Sequence, residues 1–174
     1  PETGVTIMKM DQGVDTGAII NQCAIKSEND DTAGSLSEKL SHLGADLLIE
    51  TLPRYLSGEL KPHAQDESKA TYASMLKKEN GLLDFTQPVE ELARRVRAFS
   101  PWPGAYFEWN GGMLKIHQAH AEMENASEGQ RLIYQGQPAV GARGGILILD
   151  EVQPAGKKSM NGKAFLSGAR NWSD

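Results

Sequence analysis

Two aspartates four residues apart, set among two glycines and a threonine, make up the segment Asp11-Gln12-Gly13-Val14-Asp15-Thr16-Gly17. Carboxylates on a short polar segment serve acid–base chemistry in many enzymes. The same residue types also make a tight turn, because glycine accepts positive φ and aspartate bonds its own backbone. Residue types alone leave both readings open. The other reactive side chains are scattered. His42 falls on the polar side of a predicted helix and His63 in a polar connection. His117 and His120, three apart on a predicted strand, should face opposite sides of a sheet, which argues against a metal pair. All four are expected to be solvated. Cys23 lies in a strand pattern before Ala24 and Ile25 and reads as a small apolar residue, not a nucleophile.

The elements that must hold these residues follow from hydrophobic spacing. Residues 5–10 and 18–25 are short, apolar and rich in β-branched residues, so they predict two strands joined by the aspartate segment. Ser35-Leu36-Ser37-Glu38 has the form of a capping box. Leu36, Leu40, Leu43 and Leu47 then recur at helical spacing, and the stripe continues through Leu48, Leu52 and Leu56 to Ser57-Gly58. Pro53 should kink this helix or end its regular part early. Residues 61–71 are polar and aperiodic and read as a linker. A second helix is expected over 88–99. Pro88 and two glutamates stand at its start and Arg94, Arg95 and Arg97 toward its end, the order the helix dipole favours. After the stop Ser100-Pro-Trp-Pro-Gly104, about five short strands separated by Gly and Asn turns predict a small closed barrel of the OB type.

The chain has 174 residues, of which 39% are hydrophobic and 24% charged, an ordinary globular balance. No apolar run approaches the roughly 20 residues of a membrane-spanning helix, and the N-terminus lacks a signal-peptide pattern. A lone cysteine fits a reducing cytosol, so a cytoplasmic protein is expected. The net charge of −5 is uneven: residues 1–80 carry 8 Lys and Arg against 13 Asp and Glu, whereas residues 81–174 carry 10 against 10. That asymmetry suggests two units. Pro1 in place of methionine, running almost directly into a strand pattern, suggests a chain that begins inside something larger.

Five separated stretches share one resemblance. "ETGVTIMKMDQGVDTG" from residue 2, "TYASMLKKENGLLDF" from 71, "VRAFSPWPGAYF" from 96, "VQPAGKKSM" from 152 and "FLSG" from 165 resemble the methionyl-tRNA formyltransferases, in that family's order and spacing. The resemblance implies an α+β chain. Residues 1–60 would be the tail of a Rossmann-like formyltransferase domain, 61–80 a linker, and 81–174 an OB-like β-barrel with a leading helix. Roughly the first 135 to 140 residues of the family, the start of a doubly wound domain, would then be lacking. The family's Asn and His partners and its S-L-L-P segment would lie in that part. The four histidines here match no catalytic position, and the chain by itself should be inactive.

The resemblance also assigns roles. Asp15 corresponds to the family's catalytic aspartate. Asp11, Gly13, Val14 and Gly17 would line the site of the formyl donor 10-formyltetrahydrofolate, with Asp11 capping the turn and the glycines allowing close backbone approach to the pterin. No metal is implied. The partner would be initiator methionyl-tRNA, bound through phosphate contacts of exposed cations. Lys157 and Lys158 come first, then Lys77, Lys78, Arg97 and Lys163. Two departures point to modest tRNA affinity: Met75 stands where the family often has lysine, and the barrel half is electrically neutral. Trp102 is expected to pack at the joint between helix and barrel. A monomer with no membrane association is expected. The alternatives are a formyltransferase acting on a nucleotide-linked amino sugar, and a stand-alone RNA-binding barrel without catalysis.

Overall fold

The structure, a computed structural model, describes residues 1–169 and 171–173. The chain forms two compact units, Pro1–Met75 and Leu76–Asp174. No helix is long and apolar enough to cross a membrane among the described residues.

The first unit is a hairpin and a helix. Strand β1 (Glu2–Met8) pairs antiparallel with β2 (Ile19–Lys26), with Glu2 opposite Lys26 and Ile7 opposite Asn21. β1 lies three residues earlier than expected at its start because its first residues find partners at the end of β2. Side chains alternate as a half-buried hairpin requires. Thr3, Val5, Ile7, Asn21, Cys23 and Ile25 are half-buried, whereas Gly4, Thr6, Gln22 and Ala24 are exposed.

Helix α1 (Ala33–Leu56) packs against both strands. Its N-terminus differs from the Ser35–Glu38 box read from sequence. Thr32 is the N-cap, and its side chain accepts from the Ser35 N–H at 3.1 Å while the Thr32 N–H donates to Ser35 Oγ at 3.0 Å. The helix therefore starts a turn early, capped by the pair that could bond reciprocally at N-cap and N3. Asp31 reinforces this end: its carboxylate accepts from Lys39, Ser35 and the Glu28 N–H, which together hold its pKa down at about 2. Pro53 does not stop the helix, which runs three residues further. The long leucine stripe also divides. Leu36, Leu40 and Leu43 are half-buried and Leu47 and Thr51 are buried, Thr51 accepting from Asn21 Nδ2 at 2.9 Å. Leu48, Leu52 and Leu56 are instead exposed on an adjoining face with Ile49. At 3.6 residues per turn, a heptad-spaced stripe drifts around the axis, so seven turns cannot keep one line of leucines against a short hairpin.

The second unit is built on six antiparallel strands. Its spatial order is β3 (Ala105–Trp109), β4 (Gly112–Glu122), β7 (Gly145–Pro154), β6 (Gln137–Ala142) and β5 (Arg131–Tyr134), with β8 (Met160–Asn161) also paired to β7. The closed barrel expected from sequence is not formed by strand pairing: β3 and β5 remain edges, with no ladder between them among the described residues. The outer side of β3 is instead met by the segment before α2, where Leu83 N–H donates to Tyr106 O at 2.8 Å. Helix α2 (Val89–Ala98) lays Val89, Leu92, Ala93 and Val96 into the core beside Leu114, Leu147, Leu149 and Val152, every one of them buried. Each such leucine or valine contributes about 1.5–3 kcal/mol of burial. A further short helix, α3 (Gly162–Gly168), closes the unit with Phe165 and the fully buried Trp172, whose indole N–H donates to Leu132 O at 2.8 Å.

Two sequence expectations fail here. Trp102 is 53% exposed rather than buried at the joint. His117 and His120 do not face opposite sides. The β4–β7 ladder is irregular on both sides of Gln118, which returns Ala119 and Ala121 to the core and turns His120 outward, like His117. His117 Nε2 then lies 3.0 Å from Gln153 Oε1, and His120 Nδ1 lies 2.7 Å from Asp150 Oδ2, so neither is simply solvated.

Candidate functional site

The connection between β1 and β2 is closed at its base by Lys9 N–H donating to Ala18 O at 2.9 Å. Above that bond the chain makes an Asx turn. Asp11 Oδ1 accepts from the Gly13 N–H at 3.0 Å and from Thr16 Oγ1 at 2.6 Å. Both glycines are needed for internal packing. A Cβ on Gly13 would overlap the Thr16 side chain, and one on Gly17, which is buried, would overlap the Lys9 carbonyl oxygen. Asp11 thus shapes the turn.

Asp15 behaves differently. Its φ is +55°, in the left-handed region where most residues other than glycine are disfavoured. Glycine would be the low-strain choice if this position were only a turn. Aspartate is among the residues that tolerate such a backbone, but its carboxylate makes no bond with any described residue and points from an exposed position. Val14 beside it is 89% exposed. A carboxylate held this way is available to an outside group, able to accept a proton or to stabilise a cation.

Sequence reasoning missed a second contributor. Gln65, read as linker, donates from Nε2 to Asp15 O at 2.7 Å and to Gly17 O at 2.8 Å. Its segment is anchored two residues earlier, where Ile19 and His63 exchange backbone bonds of 2.8 and 2.9 Å. No local signal marks a residue whose partners lie about fifty positions away.

The cationic residues fall in two groups. Lys157 and Lys158 are exposed on the turn between β7 and β8, and Lys163 is exposed on α3, which begins directly after β8. Gln153 Nε2 ties this turn down by donating to Lys157 O at 2.9 Å. Lys77 and Lys78 are exposed at a short 3-10 turn that Arg95 of α2 holds through Asn80 O at 3.2 Å. Arg97 is half-buried and donates to the Ala93 carbonyl at 3.2 Å, so its guanidinium is partly engaged within its own helix.

The family profile "Formyl transferase, C-terminal domain" matches residues 75–170, and the profile "Formyl transferase" matches residues 1–52. A methionyl-tRNA formyltransferase from Chloroflexus aggregans is 42% identical over 170 residues, covering 95% of this chain and 55% of the relative. Another from Myxococcus xanthus is 44% identical over 168 residues, covering 96% and 54%. The chain therefore spans about half the length of these curated relatives. Among solved structures, HypX from Aquifex aeolicus in complex with tetrahydrofolic acid superposes with a TM-score of 0.72 over 98% of this chain and 31% of that one, at 18% identity, a likeness of fold. With a C-terminal-domain match over more than half its length and the aspartate loop inside the second match, this chain belongs to the formyl transferase family.

Proposed function

We propose that this chain carries the catalytic aspartate and the tRNA-binding domain of an enzyme that transfers the formyl group of 10-formyltetrahydrofolate to the amino group of initiator methionyl-tRNA, for translation initiation. The observation that carries the reading is Asp15: a residue kept at positive φ whose exposed carboxylate makes no bond with any described residue, on a loop held by Asp11 and Gln65. The 42 and 44% identities to methionyl-tRNA formyltransferases support the tRNA substrate over a nucleotide-linked amino sugar. The bound tetrahydrofolic acid of HypX supports the donor class.

The chemistry explains the residue. A neutral amine attacks the formyl carbon, a tetrahedral oxyanion develops, and a proton must travel from the amine to the departing folate nitrogen. A carboxylate favours a neighbouring imidazolium that donates to the oxyanion, and it orients a water for the proton transfer. The imidazole would come from outside this chain, since His42, His63, His117 and His120 take no part in the aspartate loop's hydrogen bonds. Gly13, Val14 and Gly17 would lie along the donor, with Asp11 holding their turn. Lys157, Lys158 and Lys163 would contact tRNA phosphates, aided by Lys77 and Lys78 and less by Arg97. We assign residues 1–60 to the catalytic domain, 61–80 to the linker and 81–174 to the tRNA-binding domain of a cytoplasmic monomer.

The test is a substitution at full length. Asp15→Asn keeps size and loses charge. It is expected to lower kcat by about three orders of magnitude or more while leaving tRNA affinity within about twofold. Normal turnover in Asp15→Asn would refute the assignment, as would formylated methionyl-tRNA made by residues 1–174 alone.

A further inference from the structure

We infer that Gln65 is a positioning residue for Asp15, acting through the backbone of the aspartate loop; this rests on the formyl-transfer reading above. The carbonyl oxygens of Asp15 and Gly17 converge on one amide nitrogen, Gln65 Nε2, at 2.7 and 2.8 Å. A carbonyl oxygen lies in the plane of its peptide, so a bond to it restrains that plane. Holding Asp15 O therefore restrains the peptide that follows Asp15, and with it the direction in which the side chain leaves Cα. The second bond fixes the peptide after Gly17, where the loop rejoins β2. Asp11 holds Gly13 and Thr16 from within the loop. Gln65 is the long-range bond that holds the Asp15 peptide itself.

The need for such a bond follows from the backbone. At φ +55° Asp15 sits in a minor basin, and an unrestrained loop would relax toward the commoner regions for L-residues. Gln65 is itself restrained on both sides. Two residues before it, His63 is locked to Ile19 by reciprocal backbone bonds. At the next residue, Asp66 accepts from the Ser68 N–H at 3.1 Å and from Ser68 Oγ at 2.6 Å, starting a 3-10 turn. The amide is thus presented from a short extended segment fixed at one end by β2 and turned away at the other. A glutamine suits the task because a neutral carboxamide supplies two N–H hydrogens from one nitrogen. A carboxylate in its place would set negative charge against two carbonyl oxygens.

The test uses the protein at the full length of its relatives, with two readouts. Amide exchange across residues 11–18 reports on the loop whether or not any formyl group is transferred. Gln65→Glu keeps the size of the side chain and removes the donated hydrogens. It is expected to speed exchange in the loop about tenfold and to lower kcat about 10- to 100-fold at unchanged KM for methionyl-tRNA, the scale of a misplaced catalytic group. Gln65→Lys restores N–H donors at similar reach and should recover most of both. Gln65→Glu added to Asp15→Asn should lower kcat no further than Asp15→Asn alone, since both act through one carboxylate. Unchanged exchange in Gln65→Glu overturns the inference, and so does faster exchange with unchanged kcat or a fully additive double variant. Full turnover in Asp15→Asn is a different result. It removes the catalytic reading of Asp15, and with it the positioning role, whatever Gln65 does to exchange.

Discussion

The two units are held together by different means. The second has a continuous core in which α2, α3 and four strands bury Leu92, Leu114, Leu147, Leu149, Val152, Phe165 and Trp172. The first has a hairpin, one helix and little interior: Leu47 and Thr51 are the buried side chains of α1, while Leu48, Ile49, Leu52 and Leu56 stay exposed. At its chemical end the first unit is ordered by polar groups, Asp11 and Gln65, and at the other end of the hairpin the start of α1 is held by Thr32 and Asp31. Apolar burial is non-directional and sets overall stability. Hydrogen bonds are weak in net terms but fix directions. The unit with the better core carries the cations proposed to meet tRNA, and the unit with the thinner core carries the aspartate proposed to be catalytic.

The contrast can be broken most directly in the cores. Leu149→Ala in β7 should cost about 2–5 kcal/mol, whereas Ile49→Ser, on an exposed face of α1, should change stability by less than about 0.5 kcal/mol. Denaturant melts measure both. Hydrogen exchange on the unsubstituted chain should show stronger protection in residues 76–173 than in 1–75, and equal protection in the two would abolish the distinction.

A smaller effect would sharpen the assignment of the second unit. Replacing Lys157 and Lys158 together by alanine should weaken tRNA binding by a similar factor across sequences. It should also reduce the slope of log K against log salt by about two contacts' worth. An unchanged slope would place both lysines outside the interface and leave Lys77, Lys78 and Lys163 to account for binding.

The smallest effect lies at the start of α1. The Asp31 carboxyl is held at about 2 by Lys39, Glu28 N–H and Ser35, below its ordinary value of 3.8. A carboxylate whose pKa is lowered by folding stabilises the folded state above its unfolded pKa, and loses that contribution as pH falls through the folded value. The cap should therefore hold at pH 5 and loosen between about pH 4 and pH 2. Amide exchange at residues 32–39 would show this, and Asp31→Asn should remove the pH dependence. Persistence of the dependence in Asp31→Asn would assign it to another group.

Much of this was legible in the residues because it depends on local pattern. The alternation in β1 and β2, the charge order and apolar face of α2, the turn chemistry of Asp11 and Gly13, and the order of the family stretches each rest on neighbours a few positions apart. What the tertiary structure decided depends on groups distant in sequence. The leucines of α1 look like one stripe until the length of the hairpin beneath them determines which are covered. His117 and His120 share a face because an irregular pairing with β7 shifts the alternation, and pairing register belongs to two strands at once. The strands after residue 105 read as a closed barrel, yet whether β3 meets β5 depends on how the sheet curves and on the segment at Leu83 that pairs with β3 first. Gln65 is the plainest case. Its chemistry, two donors on one nitrogen, is written in the residue, but its role required the chain to bring it back, across about fifty positions, to the carbonyls of Asp15 and Gly17.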